Sequence, residues 1–335
     1  MQFASIFRNR TPAAAGLALA LGLGAGLAAE QTTGTSPVYR ARTDLVVLQV
    51  SVSDGQRRHI SGLGAENFTV FDEGVPQPVA VFATSDSPLD VLLLMDTSGS
   101  MGMRLPAARR AASDLVASLR GDDRAGLILF DEGAMIAHTL SNDHASVREA
   151  IRVASPAGAT ALYEAVYLGL HTLSRARRSD DGVRRQALVV FTDGVDNASR
   201  IPFEQALESA RSGDVTIFTI LPGLPPPDAA AIPGLSWRDA TVRFELRRLA
   251  EDTGGRTFVT TDPNGVGDVY EQIGSELRTQ YWLAYTAGAN KPGFRRVSVR
   301  VNDPPGLLAR TRTGYNAGLS MTARSSPEAK RPPSP

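Results

Sequence analysis

"VLLLMDTSGSM", Val91 to Met101, is a run of five apolar residues that ends in one carboxylate and then a turn carrying two serines and a glycine. A short, all-apolar run reads as a strand buried on both faces of a mainly parallel sheet. Asp96, Ser98 and Ser100 follow at alternate positions, just past its carboxyl end. Three later runs have the same character: "AGLILFD" from Ala125, "QALVVFTD" from Gln186 and "VTIFTIL" from Val215. Between them lie helical stripes. Leu105, Ala108, Ala112, Leu115, Val116 and Leu119 fall on one face, as do Leu162, Val166, Gly169 and Leu173, and later Val266, Val269, Ile273 and Leu277. Pro202 suits a helix start, and Gly254–Gly255 suits a helix end. Strands alternating with helices predict a doubly wound α/β domain with a mainly parallel sheet over residues 88–280.

Outward from this domain the rhythm changes. "DLVVLQVSVSD" sets Val46, Leu48, Val50 and Val52 against polar neighbours, the period of a strand with one wet face. "NFTVFDEG" and "QPVAVFAT" read as two further strands about a turn at Asp72–Gly74. Similar patterns return in "YWLAYT", in "RRVSVRVN" and in "LLARTRT", Leu307 to Thr313. Neither end is large enough for its own core. Residues 39–87 and 281–316 are therefore expected to pair into one small β-sandwich from which the α/β domain emerges. The stretch 317–335, ending "SSPEAKRPPSP", reads as a disordered tail.

The chain has 335 residues, enough for about two domains. Its 35 basic and 35 acidic residues cancel, so no electrostatic footprint argues for nucleic acid. Arg8 and Arg10 precede an Ala/Leu/Gly run from Ala13 to Leu27 that closes on small residues at Gly26 and Ala28. That is the layout of a secretory signal peptide over residues 1–28, followed by a linker at 29–38. The expected location is secreted or periplasmic, with an uncleaved N-terminal anchor as the alternative. No later run reaches ~18 apolar residues, so no stable membrane span is expected once the signal is cleaved. There is no cysteine, hence neither a disulfide framework nor thiolate chemistry.

In an open parallel sheet, ligands sit beyond the carboxyl ends of the strands, where the strand order switches direction. Asp96, Ser98 and Ser100 occupy such an end. In "FTDGVDN", Asp193 occupies another, with Gly194 permitting a tight turn; in "SPAGATALYEAV", Thr160 heads a helix. The inventory is two carboxylates and three hydroxyls, with no His or Cys. Oxygen-only donors suit a hard cation, Mg²⁺ first, with Mn²⁺ or Ca²⁺ as alternatives. A set rich in neutral hydroxyls leaves the cation charge to spare and one position open to a carboxylate from another molecule.

At these residues a resemblance becomes specific. Asp96-x-Ser98-x-Ser100, Thr160 and Asp193 resemble the metal-ion-dependent adhesion site of von Willebrand factor type A domains. The surroundings "MDTSGSM", "GATALYEA" and "FTDGVDN" are similar to that family's, although Ala159 stands where a second glycine is common. With its β-rich ends, the whole chain resembles exported bacterial proteins related to that family. The resemblance implies a non-enzymatic binding protein that meets an Asp or Glu of a protein partner through the metal. Two alternatives stay open: an envelope protein whose metal only stabilises the fold, and a metal-assisted hydrolase. Against catalysis, "SGSMG" misses the G-x-S-x-G elbow, and no phosphate-binding loop G-x-x-x-x-G-K-[ST] is present.

Other polar residues read more plainly. Asp196 and Asn197 suit a turn and a helix entry, and the pairs Asp122–Asp123 and Asp131–Glu132 suit solvated ends of a strand. His59, His138, His144 and His171 lack metal-ligand spacing and read as surface or packing residues. The Pro-rich stretch Leu221 to Trp237 leaves the metal-bearing rim, either as a contact surface or as a variable insertion.

Overall fold

The computed structural model describes residues 45–56, 58–84, 87–178, 184–222, 237–260, 265–288 and 292–317. The expected signal peptide and linker, the tail beyond Ala317 and the Pro-rich loop between Pro222 and Trp237 lie outside the described residues. The chain opens with strands β1 (Leu45–Ser53), β2 (Phe68–Asp72), β3 (Val75–Gln77) and β4 (Val81–Ala83). Then come β5 (Leu89–Asp96), helix α1 (Leu105–Ala117), β6 (Arg124–Phe130), β7 (Ala134–Ser141), α2 (His144–Val153) and α3 (Leu162–Arg178). β8 (Arg185–Phe191), α4 (Phe203–Ser212), β9 (Thr216–Pro222), α5 (Trp237–Asp252), β10 (Thr257–Thr260) and α6 (Gly265–Thr279) follow. The chain closes with β11 (Tyr281–Thr286), β12 (Gly293–Val301), β13 (Leu308–Arg310) and β14 (Gly314–Ala317).

The central sheet has the order β10-β9-β8-β5-β6-β7 and is parallel except for β7. Its alternating side chains explain why β5 is apolar throughout. Val91, Leu93 and Met95 pack with α1, α2 and α6, whereas Leu92 and Leu94 pack with α3, α4 and α5. Every residue of β5 is buried, because both faces of the strand carry helices. β6 lies on one side of β5 and β8 on the other, so the chain reverses direction at β5 and opens a crevice at its carboxyl end. Among the described residues no helix is long and apolar enough to cross a membrane.

The chain's two ends meet in two four-stranded sheets, ordered β13-β1-β11-β4 and β14-β12-β2-β3. β1 runs antiparallel to β11 with Val50 opposite Tyr281, and β2 runs antiparallel to β12 with Val70 opposite Val299. Their inner faces share one core, to which β1 contributes Val46, Leu48, Val50 and Val52 and β11 contributes Tyr281, Leu283 and Tyr285. A carboxylate is buried against it. Buried Asp72 accepts hydrogen bonds from the Tyr285 and Tyr315 hydroxyls at 2.9 and 3.0 Å and from Arg295 Nε at 2.9 Å.

Three local expectations change. "QPVAVFAT" is split between two sheets, Gln77 ending β3 and Val81 opening β4, with Pro78 breaking the ladder because it has no N–H to donate. β7 and α2 form an additional edge that the apolar pattern does not announce, since β7 is only partly covered. Asp123 is buried rather than solvated: its carboxylate accepts the backbone N–H of Leu89 at 2.8 Å and of Arg120 at 2.9 Å, tying the turn before β6 to the start of β5.

Candidate metal centre

β5 delivers Asp96 to the crevice fully buried. Asp96 Oδ1 accepts the Ser98 backbone N–H at 2.8 Å, a local turn that short acidic side chains favour, and it aims the next residues back over the strand end. A single 3₁₀ turn, Gly99–Met101, then lifts Ser100 beside Ser98, with their Oγ atoms 3.1 Å apart. From the neighbouring strand, Ser100 Oγ donates to Asp193 Oδ1 at 2.9 Å. Asp96, Ser98, Ser100 and Asp193 are thus linked in one hydrogen-bonded string across the ends of β5 and β8, joined at its Asp96 end through the Ser98 N–H.

Thr160 arrives on a loop held from both sides. Ala157 N–H donates to Thr97 O at 2.6 Å and Gly99 N–H to Gly158 O at 3.1 Å, which sews the loop to the Ser98–Ser100 turn. Gly158 has φ +70°, and a Cβ there would lie 2.8 Å from Glu132 Cγ, so this position needs glycine. On the other side, Asn197 Oδ1 accepts the Thr160 N–H at 2.8 Å, while Thr160 O accepts the N–H groups of Asn197 and Ala198 at 3.0 and 3.2 Å. A Cβ on Gly194 would stand 3.7 Å from Thr160 Cγ2 and 3.8 Å from Asp96 Oδ2, so Thr160 and Asp96 both border this glycine. Asp196 caps the entry to α3 by accepting the Tyr163 N–H at 3.1 Å.

Residues 91–195 match the family model of the von Willebrand factor type A domain. That span contains all five candidate ligands and leaves the two outer sheets beyond the match. Among solved structures, the chain is similar to a von Willebrand factor type A protein from Catenulispora acidiphila: 14% identity, 81% of this chain, 74% of that one, TM-score 0.48. An aerotolerance-related membrane protein from Bacteroides fragilis is 22% identical over 56% of this chain and 98% of its own, TM-score 0.44. Proximal thread matrix protein 1 from the mussel byssus, solved with a zinc-occupied MIDAS motif, is 16% identical over 63% of this chain and 50% of its own, TM-score 0.45. No curated protein matches the chain.

The donors in the matched stretch have the chemistry of a hard-cation site. Among the described residues no three His, Cys, Asp or Glu side chains cluster as metal ligands. The set is instead two carboxylates and three hydroxyls. The oxygen separations of 2.9 and 3.1 Å equal the edge of an octahedron of oxygens about 2.1 Å from its centre, which is about 3.0 Å. Burial pushes the Asp96 carboxyl above its ordinary range, against the hydrogen bonds from Thr192 and Ser98, and the charge of Asp193 adds to the rise. A desolvated carboxylate of this kind is stabilised by a cation beside it.

Two residues of the site carry no signal in the sequence pattern. Thr192 Oγ1 donates to Asp96 Oδ2 at 2.6 Å and accepts the Gly194 N–H at 3.0 Å, clamping β8 to β5. Arg104 Nη1 donates to Asp193 Oδ2 at 2.6 Å. The only hints are the adjacency of Thr192 to Asp193 and the placing of Arg104 one turn beyond Ser100.

Proposed function

We propose that the chain is an exported, non-enzymatic binding protein, secreted or periplasmic. It recognises a protein partner through a divalent cation, Mg²⁺ ahead of Mn²⁺ or Ca²⁺, held by Asp96, Ser98, Ser100, Thr160 and Asp193. The observation that carries this reading is the hydrogen-bonded string of side chains from Asp96 to Asp193, with contacts of 2.8 to 3.1 Å. When bound, the cation supplies a Lewis-acidic position that a partner's Asp or Glu carboxylate completes. The residues themselves hold and aim. Asp96 provides buried countercharge from below, Ser98 and Ser100 present neutral oxygens, and the Thr160 loop is kept at its height by Asn197. Catalysis finds less support, because Ser98 hydrogen-bonds to Ser100 and Ser100 to Asp193, an arrangement that favours a ligand role for both.

The test is affinity capture from envelope extract with the mature protein, in Mg²⁺ and in EDTA, repeated with Asp96→Ala and Thr160→Ala. A partner retained in Mg²⁺ and lost in EDTA and in both variants supports the reading. A partner that binds equally in EDTA overturns it. If Mg²⁺ raises the unfolding temperature while capture stays unchanged, the cation is structural only.

A further inference from the structure

A second cleft lies where α5, β10 and α6 meet β1 and β13 of one outer sheet, and none of its lining residues belongs to the metal centre. Its volume is about 830 Å³, within the usual range of small-ligand sites. Four guanidinium groups line it: Arg243 and Arg247, one turn apart on α5, Arg256 ahead of β10, and Arg310 at the end of β13. Among the described residues, two carboxylates answer them. Glu251 takes Arg247 at 2.7 Å, and fully buried Glu276 takes both Arg310 and Arg256, the latter at 3.3 Å. The cleft therefore keeps positive charge.

Its unpaired donors show where that charge is aimed. Nε and Nη2 of Arg243 are buried without a hydrogen-bond partner. So are both ring nitrogens of His59, one of them an N–H in the neutral ring; its side chain is 10% exposed, and its Nε2 lies 3.7 Å from Glu276 Oε2, too far for a hydrogen bond. Leaving such donors shielded from water and unpaired is unfavourable unless an acceptor fills the space. The walls supply an apolar complement. Arg256 stacks over Phe258 at 4.3 Å from the ring centroid, Val259 and Val269 line the floor, and Leu308 stands 65% exposed at the mouth.

We propose that this cleft is an anion site that takes a small ligand bearing a phosphate or carboxylate, with the oxyanion on Arg243 and Arg247 and the ligand's apolar body toward Leu308. Guanidinium forks match both oxyanions bidentately, so the head group recognised is the chemistry the two ligand types share. Arg243 and Arg247 come from the α/β domain, while His59, Leu308 and Arg310 come from the chain's paired ends, so the site exists only when both parts are folded.

Calorimetry and thermal unfolding of the mature protein at low ionic strength test this with inorganic phosphate, phenyl phosphate and benzoate, against sodium chloride of equal ionic strength. At least one oxyanion should bind saturably and raise the unfolding temperature where chloride does not. A preference between phenyl phosphate and benzoate identifies the head group, and their gain over inorganic phosphate measures the apolar contact. Arg243→Gln should weaken binding about tenfold or more while leaving the unliganded protein at least as stable, since that guanidinium makes no bond to lose. Arg247→Gln, at an exposed position, should weaken binding several-fold. Arg152→Gln, on the remote surface of α2, should change nothing. The site is refuted if no oxyanion binds, or if Arg247→Gln and Arg243→Gln respond like Arg152→Gln.

Discussion

Arg104 Nη1 and Asp193 Oδ2 stand 2.6 Å apart, so a guanidinium at the head of α1 neutralises one of the two carboxylates of the candidate metal centre. A divalent cation on Asp193 shares that carboxylate with a fixed positive charge. Replacing Arg104 by Ala should therefore tighten Mg²⁺ binding, by about fivefold to tenfold once solvent screening of the partly exposed Arg104 is allowed for. Calorimetric titration with Mg²⁺ measures it, and an unchanged or weaker affinity would show that Arg104 does not compete.

Thr192→Val keeps the shape of a fully buried side chain but deletes the donor to Asp96 and the acceptor for Gly194 N–H. The variant should lose about 1–3 kcal/mol of stability, because a buried carboxylate oxygen and a buried N–H are left unpaired. Its Mg²⁺ affinity should fall as well, since the Thr192 hydroxyl holds the orientation of Asp96 Oδ2. Thr192→Ser should retain both properties. Urea denaturation beside metal titration separates the two effects.

Asp72 joins β2 to β11, β12 and β14 through Tyr285, Arg295 and Tyr315. Asp72→Ala should cost about 3–5 kcal/mol, the usual consequence of removing one partner from a buried charged network, whereas Tyr315→Phe should cost about 1 kcal/mol. A chain ending at Gln280 lacks β11 and β12, the partners of β1 and β2. Limited proteolysis should then cut it within β1 or β2 first. Protease resistance equal to that of the full chain would mean that the N-terminal strands hold without their partners.

Burial lowers the His59 imidazole below its ordinary value of 6.5; Glu276 opposes the shift, while Arg256 and Arg310 reinforce it. The folded protein thus prefers neutral His59, and the unfolded chain takes up a proton first as pH falls. This contribution to stability is fully present above pH 6.5 and is lost progressively below it. In His59→Gln, the fall in stability between pH 7.5 and 5 should be shallower than in the parent. Parallel curves would show that His59 titrates normally.

Much of the α/β fold is written in local pattern. Runs such as Val91–Met95 and Ala187–Phe191 are apolar at every position because helices cover both faces of their sheet, and that burial alone predicts the fold class. The five candidate ligands are legible for a related reason: each is a short oxygen-bearing residue at a strand or helix end, where the fold opens its crevice. What the sequence could not decide is which distant groups become neighbours. Thr192 reads as one more strand residue until β8 is laid beside β5, and Arg104 reads as a helix residue until the Ser98–Ser100 turn brings it over Asp193. Asp123 looks solvated beside Asp122 until Leu89 places an N–H on it. His59, in a polar turn, is half-buried where it bridges back to Ser53 and lines a cleft with Gln272 and Arg310. Side-chain periodicity records which face of an element is covered; the partner that covers it is set by long-range strand pairing, to which a local pattern is blind.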